Sequence, residues 1–142
     1  MKKENCIFCK IAEKKEFAAI LYEDEDIMAF MDIKPINEGH ALVIPKKHAV
    51  LVEELDEDLF LKLFPIARKI AYRIKEKILE TTAINYFIAD GKDAGQEVFH
   101  VHLHIIPRKP NDGFKFIFEP SYYDRLLSEE ERENVRNKLI PI

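Results

Sequence analysis

The chain has 142 residues, 47% of them hydrophobic and 34% charged, with a formal net charge of -4. That length suits one domain with a single core, the apolar share excludes general disorder, and no apolar run approaches the ~20 residues of a membrane-spanning helix. The acidic balance argues against bulk electrostatic binding to nucleic acid but leaves room for a small basic pocket taking one nucleotide.

The opening Met1-Lys2-Lys3-Glu4-Asn5-Cys6 has basic residues with no apolar stretch behind them, so no secretory leader is expected and the setting is expected to be cytoplasmic. Cys6 and Cys9 are the two cysteines of the chain. In a reducing cytosol a structural disulfide is not expected of them. Their C-x-x-C spacing suits zinc, although a closed tetrahedral site needs four ligands. A redox role would call for a strand ahead of the pair in a thioredoxin-like unit, and none is predicted there. Two short apolar runs, residues 20–22 and 27–31, flank an acidic turn and predict a β-hairpin. Residues 32–39 read as a loop on their Pro, Asn and Gly content, and residues 40–44 as a strand stopped by Pro45.

Across residues 55–79, Leu59, Leu63, Ile66, Ile70, Ile74 and Ile78 recur every three or four positions, with Lys and Arg on the other side. This predicts one long core helix with Asp56 as N-cap, kinked or delayed by Pro65. A strand is expected over residues 84–89, a loop over 90–97, and a longer strand over 98–106 closed by Pro107. Ser128 with Glu131 three residues on has the capping-box form and predicts a short C-terminal helix. Strands adjacent in sequence around one long helix indicate an antiparallel α+β layer in a single domain spanning residues 1–142.

The five histidines are His40, His48, His100, His102 and His104. In His100-Val101-His102-Leu103-His104-Ile105-Ile106, strand alternation puts the three histidines on one face and the aliphatic residues on the other. At ~3.3 Å per residue the outer two lie about 13 Å apart, too far to share one ion with its ~2.0–2.1 Å bonds. The row therefore suits a substrate and a metal side by side. A neutral imidazole is nucleophilic at pH 7 and a second can donate a proton, so the row suggests attack on phosphorus through a covalent N–P intermediate. Gly91, Gly95 and Gln96 ahead of it fit a loop approaching an anion.

His100-Val101-His102-Leu103-His104-Ile105-Ile106 resembles the histidine-triad (HIT) motif, His-φ-His-φ-His-φ-φ with φ apolar. Cys6-Ile7-Phe8-Cys9-Lys10-Ile11, Ala29-Phe30-Met31-Asp32-Ile33-Lys34-Pro35, Gly39-His40-Ala41-Leu42-Val43-Ile44-Pro45-Lys46-Lys47-His48 and Ala94-Gly95-Gln96 match at fitting separations. Together they cover residues 6–113, with 114–142 as a C-terminal extension, and the resemblance is to the prokaryotic zinc-containing members. It implies an α+β HIT fold paired as a homodimer. It also implies a nucleotide hydrolase or transferase acting at the α-phosphorus of nucleoside phosphoramidates or dinucleoside polyphosphates, with a purine nucleotide (an AMP moiety) as substrate and no nucleic-acid or membrane partner.

Carried onto this chain, His102 is the nucleophile, His104 contacts the phosphoryl oxygens, and His40 borders the site, with His100 completing the catalytic row. Gln96 binds phosphate, Asp32 accepts from the ribose hydroxyls, and Phe17, Phe30 and Ile33 form the slot for the base. Cys6, Cys9, His48 and His100 are the ligand set for one structural Zn2+ per chain. Ala89 stands where the family places an Asn, and Glu97 where it places a Ser or Thr. Those departures motivate the alternative of a nucleotide-binding module with weak or no catalysis. A zinc hydrolase built on His100 and His102 is a third reading, disfavoured because the two cysteines offer a closed site.

Overall fold

The computed structural model describes residues 3–142. The chain divides into two compact units, one running to Asp112 and the other spanning Gly113–Ile142. In the first, α1 (Ile7–Ala12) is followed by the strands β1 (Ile20–Glu23), β2 (Ile27–Met31) and β3 (Ala41–Pro45), the long helix α2 (Glu57–Lys77), and the strands β4 (Ala83–Phe87) and β5 (Leu103–Arg108). The five strands form one sheet in the order β1-β2-β3-β5-β4. Every neighbouring pair is antiparallel, as the order of elements along the chain predicts.

The hairpin β1–β2 turns where Asp24 Oδ1 accepts from the backbone N–H groups of Asp26 and Ile27, at 2.9 and 2.7 Å. This is the local bonding that makes Asp a turn residue. Strand alternation then sorts side chains onto two layers. Ile27, Ala29, Ala41, Val43, Leu103 and Ile105 pack with Leu59, Leu63, Ile66, Ala67, Ala71 and Ile74 of α2. Met28, Phe30, Leu42 and Ile44 face the other way and pack with Cys6, Phe8, Cys9 and Ile11 of the N-terminal segment. The histidines fall on even-numbered positions, so the same alternation puts them on the face opposite α2.

Four sequence expectations are adjusted by the structure. The strand expected from residue 98 begins only at Leu103 and runs through Pro107 to Arg108. Pairing with β3 ends at Val43↔Leu103, and ahead of it Val101 N–H donates to the Ala49 carbonyl at 2.8 Å instead of a ladder partner. His100, at a bend where its N–H bonds the Val98 carbonyl at 2.8 Å, and His102 therefore lie just outside the sheet. Pro45 does not stop β3 but ends it from within, opposite Ile27. Pro65 lies inside an unbroken α2 on its exposed side, where water can satisfy the carbonyl that loses its partner. Asp56 occupies the N-cap of α2 without a side-chain cap bond, its carboxylate being taken by Lys47 Nζ at 2.7 Å.

In the second unit, α3 (Glu129–Leu139) opens with the capping box: Ser128 Oγ accepts from Glu131 N–H, and Glu131 accepts from Ser128 N–H. Ahead of it the Phe118 and Tyr122 rings stack at 4.2 Å, and Phe114 meets Phe116 edge-on at 5.9 Å. No helix among the described residues is long and apolar enough to cross a membrane.

Candidate functional site

Two clusters lie side by side along the histidine row. The first joins Cys6, at the N-cap of α1, and Cys9, in its first turn, to His48 and His100. Their four ligand atoms all fall within 4.8 Å of one another. His100 Nδ1 lies 3.4 Å from Cys6 Sγ, 3.6 Å from Cys9 Sγ and 3.3 Å from His48 Nδ1, and His48 Nδ1 lies 3.2 Å from Cys9 Sγ. Bonds of about 2.1 Å to nitrogen and 2.3 Å to sulfur place the corners of a tetrahedron roughly 3.3–3.8 Å apart, so the spacing fits a tetrahedral metal. The tautomers fit as well. His100 Nε2 lies 2.8 Å from the Pro45 carbonyl; a carbonyl only accepts, so Nε2 carries the hydrogen and Nδ1 turns its lone pair into the cluster. His48 turns its Nδ1 to Cys9 Sγ and His100 Nδ1, and its Nε2 is buried without a hydrogen-bond partner. Burial pushes the His100 imidazole down to about 4, which keeps that lone pair available.

The second cluster is Asp32, His40 and His104, joined to His102 through ring contact. His102 is buried, 5% exposed, with its ring 5.2 Å from Phe8 and 4.8 Å from His104. Its Nδ1 donates to the His100 carbonyl at 2.7 Å. The proton is thereby fixed on Nδ1 and the lone pair on Nε2. Burial holds its pKa below the ordinary value, against the opposing pull of that backbone bond and of Asp32 and Glu97.

His104 is set the opposite way. The Ile36 N–H donates to His40 Nδ1 at 3.1 Å, so a neutral His40 carries its hydrogen on Nε2. That N–H donates to His104 Nδ1 at 2.9 Å, which leaves His104 protonated on Nε2. The row thus presents a lone pair on His102 beside an N–H donor on His104. Asp32 Oδ2 lies 3.5 Å from His40 Nε2 and 4.0 Å from His104 Nδ1, while its Oδ1 accepts from Lys34 N–H at 2.8 Å. Burial lowers the His40 pKa and takes His104 to about 4.

A pH effect follows. Between about 6.5 and about 4 the unfolded chain carries a proton on His104 that the folded chain lacks. Stability on this account is complete above pH 6.5 and is lost as pH falls through that window. Urea midpoints measured from pH 7 to 4 should fall, and fall less steeply in His104→Asn. Equal slopes in the two proteins would contradict the assignment.

The remaining expected site residues are placed unevenly. Gln96 is buried, and its amide is engaged within the chain: Oε1 accepts from Gly91 N–H at 3.0 Å and Nε2 donates to the Val50 carbonyl at 2.8 Å. It braces the glycine loop in this conformation instead of aiming a donor outward. Phe30, 3% exposed, meets Phe8 edge-on at 5.5 Å within the core, whereas Phe17 and Ile33 are 91% and 92% exposed. The Met31 N–H bond to the Ala19 carbonyl at 3.0 Å brings together the segments carrying these two. Ala89 is buried and Glu97 exposed. Sequence reasoning missed the backbone groups that set the ring orientations: Ile36 N–H and the carbonyls of Pro45 and His100. No side-chain pattern marks them.

A five-stranded antiparallel α+β domain with an alternating histidine row on the face opposite its long helix is the architecture of the histidine-triad class. The HIT domain family model matches residues 13–111, and the chain belongs to the HIT family. A HIT family protein of Bacillus subtilis, known from its crystal structure, is similar over 95% of this chain and 94% of its own, at 39% identity and a TM-score of 0.85. A zinc-bound histidine triad family protein from Mycobacterium smegmatis is similar at 36% identity, over 84% of this chain and 86% of its own, with a TM-score of 0.75. The adenosine 5'-monophosphoramidase of Saccharomyces cerevisiae is 38% identical over 104 residues, 73% of this chain and 63% of the yeast protein.

Proposed function

We propose that the protein is a nucleotide hydrolase or transferase that attacks the α-phosphorus of nucleoside phosphoramidates or dinucleoside polyphosphates through His102. The observation that carries this reading is the 2.7 Å bond from His102 Nδ1 to the His100 carbonyl, which leaves Nε2 as a lone pair at the side of an N–H donor. The yeast phosphoramidase relative supports the substrate class.

In this reading Nε2 of His102 forms a bond to the α-phosphorus while the bond from phosphorus to the amine or polyphosphate breaks, and an amine leaving group takes a proton from solvent water as it departs. Water then opens the N–P bond, releasing the nucleoside monophosphate and restoring the imidazole. His104 Nε2–H stabilises the charge growing on a non-bridging oxygen, held in that tautomer by His40. Asp32 accepts from the ribose hydroxyls, and the exposed rims Phe17 and Ile33 hold the purine, with Phe30 beneath them. Gln96 holds the glycine loop in place for the phosphate.

Cys6, Cys9, His48 and His100 would hold one structural zinc per chain. When bound, the metal joins the N-terminal segment to the histidine row; the cluster is closed by four protein ligands, so no reacting water is placed on it. Two copies pair through the open edge of β4, where Phe64 and Tyr86 meet at 4.9 Å and are both partly exposed. The setting is the cytoplasm.

Incubation with an adenosine phosphoramidate and with diadenosine polyphosphates tests the reading. Turnover should be seen with at least one of them and should persist in brief assays after chelation. Tight AMP binding with no turnover would make the protein a binding module instead, consistent with the changes at Ala89 and Glu97. Activity lost the moment metal is removed, with the fold intact, would point to a metal-bound nucleophile.

A further inference from the structure

The loop between β2 and β3 is tied to the far end of β5 by a part-buried polar clasp whose side chains bond to none of the histidines. Pairing between β3 and β5 extends only to Ala41↔Ile105, yet β5 continues to Arg108. Over that overhang Asn37 Nδ2 donates to the Pro107 carbonyl at 2.8 Å and to Asp112 Oδ2 at 2.9 Å. The Asp112 side chain is 4% exposed and is gripped by Arg108, Nε to Oδ2 at 2.6 Å and Nη2 to Oδ1 at 3.0 Å. Arg108 Nη1 donates in turn to Asn85 Oδ1 on β4 at 2.6 Å. A two-pronged guanidinium–carboxylate pair fixes direction as well as distance.

Asn37 is also the pivot of the turn that delivers His40. Its carbonyl accepts from His40 N–H at 3.1 Å, and the residue before it, Ile36, supplies the N–H that His40 Nδ1 accepts. One amide therefore joins the loop holding His40 to the strand carrying His104. We propose that Asn37, seated by Asp112 and Arg108, is a positioning residue that dictates the tautomer of the His40–His104 pair. Without the seated turn, Ile36 N–H no longer faces His40 Nδ1, and the imidazole proton redistributes between its nitrogens. In the fraction protonated at Nδ1, two lone pairs confront each other across the 2.9 Å contact, and His104 no longer presents a fixed donor. The inference rests on the reading of His104 as the phosphoryl donor. Its first test needs no substrate, so it can fail separately from that reading.

The experiment is long-range proton–nitrogen NMR on the 15N-histidine-labelled full chain without nucleotide, in wild type, Asn37→Ala and Asp112→Asn. Wild type should show His40 bare at Nδ1 and protonated at Nε2, and both variants a mixture. In steady-state assays kcat should fall about tenfold with KM within about twofold, the size expected for losing one well-placed hydrogen bond. That loss should vanish when Asn37→Ala is made in a His40→Gln background, because the clasp acts through His40. Wild-type His40 nitrogen signals in both variants would overturn the proposal. So would a wild-type His40 protonated at Nδ1, or an equal kcat loss in both backgrounds.

Discussion

His102→Ala is expected to lower kcat by about 10^4-fold or more, since it deletes the atom proposed to bond to phosphorus and nothing else in the row can replace it. The neighbours are committed elsewhere. His100 has its Nε2–H on the Pro45 carbonyl and its lone pair among Cys6, Cys9 and His48. The proton on His104 faces outward because His40 occupies its Nδ1. Alanine also leaves a hole beside Phe8, so a second variant separates chemistry from packing. His102→Asn keeps a donor for the His100 carbonyl yet has no nucleophilic nitrogen. The two variants should be equally inactive, with His102→Asn closer to wild type in Tm. Appreciable turnover by His102→Asn would show that the ring serves only as a scaffold.

The second large effect is expected at the cysteine cluster. Cys6 and His100 are fully buried and Cys9 nearly so, and the ligand atoms of these three and His48 converge within 4.8 Å of one another. An ion held by all four would contribute folding free energy. The proposed zinc should appear at about one per chain by elemental analysis, and stripping it should lower Tm by roughly 10–20 °C. Cys9→Ala should reproduce that loss in metal-replete buffer and become insensitive to chelator. A chelator-insensitive wild type containing no metal would refute the assignment.

Much of this was legible in the chain because strand alternation is strict. The even spacing of His100, His102 and His104 indicated a single row, although only His104 lies within a strand, and the aliphatic stripe 59-63-66-70-74 located α2. The C-x-x-C spacing marked two members of the Cys/His cluster, although pairing them with His48 and His100 required the family resemblance. The strand start at Leu103 was not legible: it depends on where β3 runs out and Ala49 takes over, a tertiary matter. Nor was the engagement of Gln96, whose partners are the backbone groups of Gly91 and Val50. The Asn37–Asp112–Arg108 clasp was hidden because Asn37 lies 75 residues from Asp112, although Arg108 and Asp112 are only four apart. Hydrogen bonds at such separations leave no local pattern to read.

Mass spectrometry of protein quenched during turnover of an adenosine phosphoramidate tests the central claim most directly. The account predicts a mass increase of one adenylyl group that is lost in acid and maps by peptide fragmentation to His102. An adduct on any other residue, or its absence under conditions where wild type turns over and His102→Ala does not, would contradict it.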